Sequence, residues 1–159
     1  MTTAQQRIAA ADLPARGQPL AGGTFVTRYW LGDAEYALID LGSEAEFEGE
    51  WGKYGQEVPG AASYSDGMAN TLAMAETGSS IAQLALALDG AFIPAALELN
   101  LLFAAKHAGL LKFKSSWYWS SSQRSAYGAF FMHFGVGNQT TDDKNDECLV
   151  RPVRRLLIC

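Results

Sequence analysis

Alternation of apolar and polar residues, the pattern of half-buried strands, marks both ends of the chain. Residues 24–31 and 34–41 are rich in β-branched and aromatic side chains and flank Gly32-Asp33, so they predict a β-hairpin. Residues 126–134 alternate in the same way, and residues 149–154 predict a closing strand. The pattern therefore predicts an N-terminal β-hairpin and a C-terminal antiparallel sheet.

Helical spacing predicts two helices between these strands, which makes the fold class α+β. The first helix covers residues 81–88, and the apolar side chains on its one face are Ile81, Leu84, Ala85 and Leu88. The second covers residues 95–108 and is apolar on nearly every side, so we expect it in the interior. Glu98 is its conspicuous charge. We expect Glu98 to accept backbone hydrogen bonds near the helix start or to pair with an arginine across the core.

A run of three aromatic residues and three serines, residues 117–122, follows the second helix. Adjacent aromatic side chains fit a half-buried pleated surface, and either Trp117 or Trp119 is expected to fill the core. Short hydroxyl side chains favour turns over ladder pairing. We therefore expect the serines to end the strand and to bend the chain outward to surface loops.

The remaining segments predict an arm and long loops. Residues 1–21 predict a short helix followed by an extended linker, an arm that is either unstructured or docked on a neighbouring subunit, ahead of one domain over residues 22–159. Periodicity disappears over residues 43–68, which predicts a long loop with aromatic anchors. Residues 66–71 are expected to form a turn that leads toward a helix. Residues 135–147 predict a polar connection at the surface.

The composition is that of an ordinary globular domain, with 48% hydrophobic and 18% charged residues. A formal net charge of -5 argues against a nucleic-acid partner, because phosphate contacts need clustered Lys and Arg. No apolar run is long enough for membrane insertion, and the N-terminus has no signal-peptide pattern, so we expect synthesis in a bacterial cytoplasm. Cys148 and Cys159 either pair with each other or stay as a buried thiol and a terminal one.

The patterns of the common catalytic and metal sites are missing from the sequence. It contains no phosphate-binding glycine loop, no Cys/His metal spacing and no nucleophile elbow, so we predict no cofactor, no metal and no catalytic residue. The acidic residues between Asp142 and Glu147 could hold calcium, but they lack the spacing and the glycine of a known calcium loop. His107 or His133 could approach the serines at 120–122 in space. A hydrolase site there has no other support.

Five stretches spread over residues 22–155 together match the pattern of one family: Gly22-Gly23, Asp66-Gly67-Met68-Ala69-Asn70-Thr71, Phe92-Ile93-Pro94 to Leu102-Phe103, Trp117 to Ser122, and Val150-Arg151-Pro152-Val153-Arg154. The chain resembles the Lcl C-terminal-type domain, formerly a domain of unknown function, which occurs in bacterial adhesins and in phage and prophage proteins. The resemblance implies a C-type-lectin-like fold, with the closing strand pairing near the first hairpin. The paired active-site cysteines of formylglycine-generating enzymes, which share this fold, have no counterpart here.

The resemblance implies a non-enzymatic binding or display module, a phage or prophage virion component such as a tail-tip or fibre-associated receptor binder. Its partners would be a host-surface protein or glycan, or other virion proteins, and it would be a homo-oligomer. Exposed aromatic and small polar side chains suit such recognition. The predicted ligand-binding residues are Ser121, Ser122, Gln123, Arg124, Tyr127, Asn138, Gln139, Thr140, Asp142, Asp143, Trp51 and Tyr54.

Two alternatives belong to other functional classes. A structural protein would decorate or cement a viral assembly through the N-terminal arm. An enzyme on a formylglycine-generating-like fold would use Glu98, His107 or His133, and it would need a pocket that joins these groups.

Overall fold

Ten strands in two five-stranded sheets and three α-helices make up the computed structural model, which describes residues 5–159. The first sheet has the order β1 (Arg7–Ile8), β10 (Val153–Ile158), β4 (Ala34–Asp40), β3 (Gly23–Leu31) and β2 (Pro19–Leu20). The second sheet has the order β5 (Phe47–Glu50), β9 (Glu147–Val150), β6 (Trp117–Gln123), β7 (Gly128–His133) and β8 (Gln139–Asp143). The predicted α+β class is confirmed.

The predicted hairpin is confirmed as β3 and β4, and β10 pairs antiparallel with β4 beside it. A bulge interrupts the β3–β4 pairing at Val26. Because side chains alternate along a regular strand, Val26 and Tyr29 would point to opposite faces without it. With the bulge, both pack in the same buried cluster, against Leu99 and Leu102 of the helix Ala96–His107.

The N-terminal segment is part of the first sheet. β1 pairs parallel with β10, and β2 pairs antiparallel with β3. A short 3₁₀ turn at Ala10–Asp12 lies between β1 and β2 in the chain. Apolar residues of this segment cover the outer face of the sheet, where Ile8, Leu13 and Leu20 pack around Phe25 and Ile39. The predicted helix and linker are therefore wrong for residues 5–20, which dock on their own domain. Residues 1–4 of the predicted arm lie outside the described residues.

Residues 5–159 form three α-helices where two were predicted: α1 (Gly67–Glu76), α2 (Ser80–Leu86) and α3 (Ala96–His107). Residues 66–71, predicted as a turn, are the N-cap and the first turns of α1. This helix lacks a strong apolar period because glycine, asparagine and threonine occupy much of its buried face. The buried face predicted for α2 is wrong at Leu84 and Leu88, which are exposed. The buried side chains of α2 are instead those of Ile81, Ala82 and Ala85.

The strand β6 continues through the serines. Ser120, Ser121 and Ser122 are buried, so the prediction that they bend the chain out to the surface is wrong. A register shift after Trp119 turns the backbone inward, and the amide of Ser121 donates to Pro94 O at 2.9 Å. Trp119 fills the core, whereas Trp117 stays partly exposed.

Two polar segments predicted as loops contain edge strands. β5 lies in the segment 43–68, and β8 lies in the segment 135–147. The closing strand predicted at residues 149–154 is broken at Arg151-Pro152, where the chain passes from β9 in the second sheet to β10 in the first. Across residues 5–159, no helix has both the length and the apolar character needed to cross a membrane.

Candidate functional site

Three loops meet at one end of the second sheet. They are the loop 51–58, the β6–β7 turn 124–127 and the β8–β9 turn 143–146, and we call their exposed side the three-loop surface. Backbone hydrogen bonds join them: Gly55 N donates to Ala126 O at 2.9 Å, Lys144 N to Tyr127 O at 3.0 Å, and Trp51 N to Lys144 O at 2.9 Å. Each loop is thereby fixed against another one.

Two tyrosines form the most exposed apolar part of the three-loop surface. The side chains of Tyr54 and Tyr127 are 55% and 56% exposed. Their ring centroids lie 5.1 Å apart with a tilt of 55°, within the range of favourable aromatic pairs. This pair presents rigid, amphipathic contact area with phenol groups for hydrogen bonding.

A fully buried lysine and a buried glutamine connect the loops that carry the tyrosines. Lys144 Nζ donates to Gln56 O at 2.7 Å and to Gln123 Oε1 at 2.6 Å, and it lies 4.7 Å from the centroid of the Trp51 ring. Gln123 also donates to Val58 O at 3.1 Å and accepts from Val58 N at 2.8 Å. Burial lowers the pKa of Lys144 to about 8, although the charge of Glu57 acts in the opposite direction.

The predicted ligand-binding residues divide into three groups. Tyr54, Arg124, Tyr127 and Asp143 are exposed on the three-loop surface or at its edge. A second group is buried and cannot belong to an exposed contact surface in this conformation: Trp51, Ser121, Ser122 and Gln123. For these four residues the prediction of surface contact is wrong, because each has interior hydrogen-bond partners. A third group lies along the edge strand β8 or directly before it: Asn138, Gln139, Thr140 and Asp142.

The buried serines join distant segments of the chain. Ser121 Oγ donates to Ile93 O at 2.8 Å, and Ser122 Oγ donates to Ser63 O at 2.8 Å. Ser122 Oγ also accepts from Ala96 N, the first amide of α3, at 2.9 Å. Their hydroxyl groups therefore satisfy backbone groups that would otherwise be unpaired in the interior.

Asn138, Gln139 and Thr140 lie toward the far end of β8. Gln139 pairs with Met132, whereas Asp143 at the other end pairs with Gly128 beside the β6–β7 turn. Four residues of strand separate these positions, about 13 Å at the usual rise. Gln139 accepts from Tyr64 OH at 3.0 Å and donates to Ala96 O at 3.0 Å. The Gln139 side chain is thus bonded to the start of α3. The predicted ligand-binding residues therefore do not form one continuous surface patch.

Two grooves of ligand size open beside the three-loop surface. One, of about 500 Å³, lies between the loop 51–58 and the α1–α2 turn. The other, of about 440 Å³, lies over Trp117 and Phe131, whose rings stack 4.0 Å apart. Both volumes are in the range of small-molecule pockets, and Glu147 borders both grooves.

The second groove contains a thiol and an acidic margin. Burial and nearby carboxylates raise the pKa of Cys148 to about 12, so its thiol stays protonated near neutral pH. Burial also raises the pKa of Asp142, as do the charges of Asp146 and Asp143. Cys148 and Cys159 are both free thiols. Across residues 5–159, no group of three or more His, Cys, Asp or Glu side chains could hold a metal ion.

No protein-family model matches the chain, and no curated protein is detectably similar to it.

Glu98 has the role expected from its position on an apolar helix. Its carboxylate accepts hydrogen bonds from Gly67 N at 2.9 Å, from Ala95 N at 2.8 Å and from the hydroxyl of Tyr29. It thus binds the N-termini of α1 and α3 together. A Cβ at position 67 would lie only 2.5 Å from Glu98 Oε1, so only glycine fits there. Burial raises the pKa of Glu98 to about 7, against the opposing effects of these donors and of Arg155.

The three groups named for an enzyme lie apart from both grooves. Neither groove is lined by Glu98, His107 or His133. Glu98 is in the first turn of α3 and His107 is its last residue, about 13 Å away along the helix axis. The pocket that the enzyme alternative needs is not formed by these grooves.

Lys144 is the site residue that sequence reasoning missed. It stands in the most polar segment of the chain, which predicted a surface connection. The side chain is nevertheless fully buried, because the loop 51–58 folds over it. The sequence signal is slight: one lysine between Asp143 and Asn145 in an otherwise acidic turn.

Proposed function

We propose that this chain is a non-enzymatic binding module and that the three-loop surface is its contact face. The observation that carries the proposal is the exposed Tyr54–Tyr127 pair on loops held by mutual hydrogen bonds. Tyrosine supplies large contact area at low cost in side-chain entropy. Loops that are already ordered lose little further freedom on binding, which favours affinity.

A C-type-lectin-like fold is the finer proposal for the architecture. It is supported by the pairing of β10 with the β3–β4 hairpin and with β1, which brings the two ends of the described chain together. It is also supported by a second sheet whose connections carry the exposed loops. Membership in the Lcl C-terminal-type family is part of the same proposal and rests on the matching stretches of sequence.

The proposed partner is a host-surface protein or glycan, met by the chain as part of a phage or prophage virion. The resemblance motivates this setting, and the two grooves that border the loop 51–58 and the β8–β9 turn add concave space for a ligand. The decoration or cementing alternative relies on the N-terminal arm. Residues 5–20 of that arm are engaged in the first sheet of their own chain, so we favour the receptor-binding role.

The proposal is tested by binding of fluorescently labelled protein to a panel of intact bacterial strains, measured by flow cytometry. We expect saturable binding to at least one strain. Tyr54→Ala and Tyr127→Ala should each weaken it about 10-fold or more, since aromatic anchors dominate binding energy. Neither change should alter the fold, because both side chains are largely exposed.

Trp30→Ala is the matched control, because Trp30 is an equally exposed aromatic residue (61%) on the first sheet. It should bind like the unsubstituted protein. Equal losses in all three variants would show that the contact face lies elsewhere. Absence of binding to every strain would reject receptor binding.

A further inference from the structure

Lys144 is a buried cation whose contacts all go to uncharged groups. Its ammonium donates to one backbone carbonyl and one amide oxygen and faces one indole ring. Among residues 5–159, no ion pair within 4.0 Å includes it. A buried lysine without a carboxylate partner is costly, so its position calls for a structural or functional reason.

The partners of Lys144 come from different segments that form the three-loop surface. Gln56 belongs to the loop 51–58, and Gln123 ends β6 just before the turn 124–127. The backbone of Lys144 itself bonds to Trp51, Gly52 and Tyr127. One residue therefore contacts all the segments that support the two tyrosines.

We propose that Lys144 is the positioning residue that locks the three-loop surface, which means that its hydrogen bonds hold the three loops closed against one another. The closed arrangement becomes more stable when Lys144 loses its proton. That the locked surface is a binding face rests on the proposed function; the locking itself does not. Neutral Lys144 keeps two N–H donors, enough for the bonds to Gln56 O and Gln123 Oε1, and no longer carries a charge that must be removed from water.

The direction of the pH effect follows from proton linkage. With the loops closed, the pKa of Lys144 is about 8, whereas a lysine in water titrates near 10.5. Loop opening hydrates the amine and favours proton uptake, so raising the pH between these values favours the closed loops. The charged residues on the segments around Lys144 are Lys53 and Glu57 on the loop 51–58, Arg124 on the β6–β7 turn, and Asp143 and Asp146 on the β8–β9 turn. Of these, Glu57 raises the pKa and so reduces the effect.

Hydrogen–deuterium exchange of the protein alone tests this proposal. Protection of peptides covering residues 51–58 and 124–127 is measured from pH 7 to 9.5 and corrected for intrinsic exchange at each pH. Protection in the unsubstituted protein should rise roughly 30-fold over this interval, from the difference between the two pKa values. The rise should be absent in Lys144→Met. Lys112→Met, which removes an exposed lysine, is the matched control and should keep the rise.

Lys144→Arg keeps the test decisive if the methionine variant does not fold. Arginine retains N–H donors and the charge but does not lose its proton in this range, so protection should stay at its low-pH level without a pH-dependent rise. A flat profile in the unsubstituted protein would overturn the proposal, as would a rise that persists in Lys144→Met or Lys144→Arg. Because no ligand is present, these outcomes are independent of whether the surface binds bacterial cells.

Discussion

Arg151 and Lys144 are two buried cations in different kinds of site. Arg151 lies where the chain crosses between the sheets, and its guanidinium donates to Asp40 Oδ1 at 2.8 Å and to Glu46 Oε1 at 2.6 Å. Lys144 lies beneath surface loops and has only uncharged hydrogen-bond partners. The two side chains are similarly buried, but their electrostatic surroundings differ.

The hydrogen-bond partners of each cation determine the direction in which its pKa shifts. Burial alone lowers the pKa of Arg151, but the hydrogen bonds and charges of Asp40 and Glu46 outweigh it and raise the pKa above its usual value. Burial prevails at Lys144, where the pKa falls to about 8. Arg151 is therefore a permanent joint between the two sheets. Lys144 can change its charge in an accessible pH range and is suited to adjusting a surface.

Removing the paired cation should have the largest effect on stability. Arg151→Met leaves Asp40 buried without a cation and leaves Glu46 with only Lys114 and the Tyr118 hydroxyl, and we expect a loss of about 3–5 kcal/mol in the free energy of unfolding. Urea denaturation measures this loss. Arg28→Met is the control, since it breaks the exposed pair with Glu35 and should leave the urea midpoint nearly unchanged. Equal shifts of the urea midpoint in both variants would contradict the conclusion that Arg151 holds the two sheets together.

Glu98 extends the comparison to a buried carboxylate. The folded protein holds the proton of Glu98 up to about pH 7, whereas the unfolded chain releases it near pH 4.5. The folded state thus binds more protons in this interval, and its stability falls as the pH rises from 4.5 to 7, by up to about 3 kcal/mol.

The pH effect of Glu98 is isolated by comparison with Glu98→Gln. Glutamine keeps an acceptor for Gly67 N and Ala95 N but has no proton to lose. Urea denaturation between pH 4.5 and 7 should show the stability difference between the two proteins shrinking or reversing as the pH rises. A constant difference would mean that Glu98 does not titrate in this range.

Regular apolar patterns were enough to predict the hairpin, β7 and α3. The hairpin and β7 alternate with the period of a strand, and α3 is a long segment of apolar helix-forming residues that stops before Gly109. The expectation that Glu98 accepts backbone hydrogen bonds at the helix start is also confirmed. These properties depend on residues close together in the chain, which is why a single sequence reveals them.

The polar elements could not be predicted because their partners are far away in the sequence. β5 and β8 are polar edge strands, which pair on one side only and carry no apolar signal. The buried serines bond to groups such as Ser63, 59 residues from Ser122, and Lys144 bonds to Gln56, 88 residues away. Composition predicts such residues at the surface. Only the folded chain shows that they are interior.

A double-mutant cycle in cell binding tests the central claim, that a surface locked by Lys144 presents Tyr127 to a ligand. Lys144→Met and Tyr127→Ala should each weaken binding about 10-fold, and the double variant should lose little more than either one, because both changes disable the same surface. Full binding by Lys144→Met, or losses that multiply in the double variant, would contradict the account.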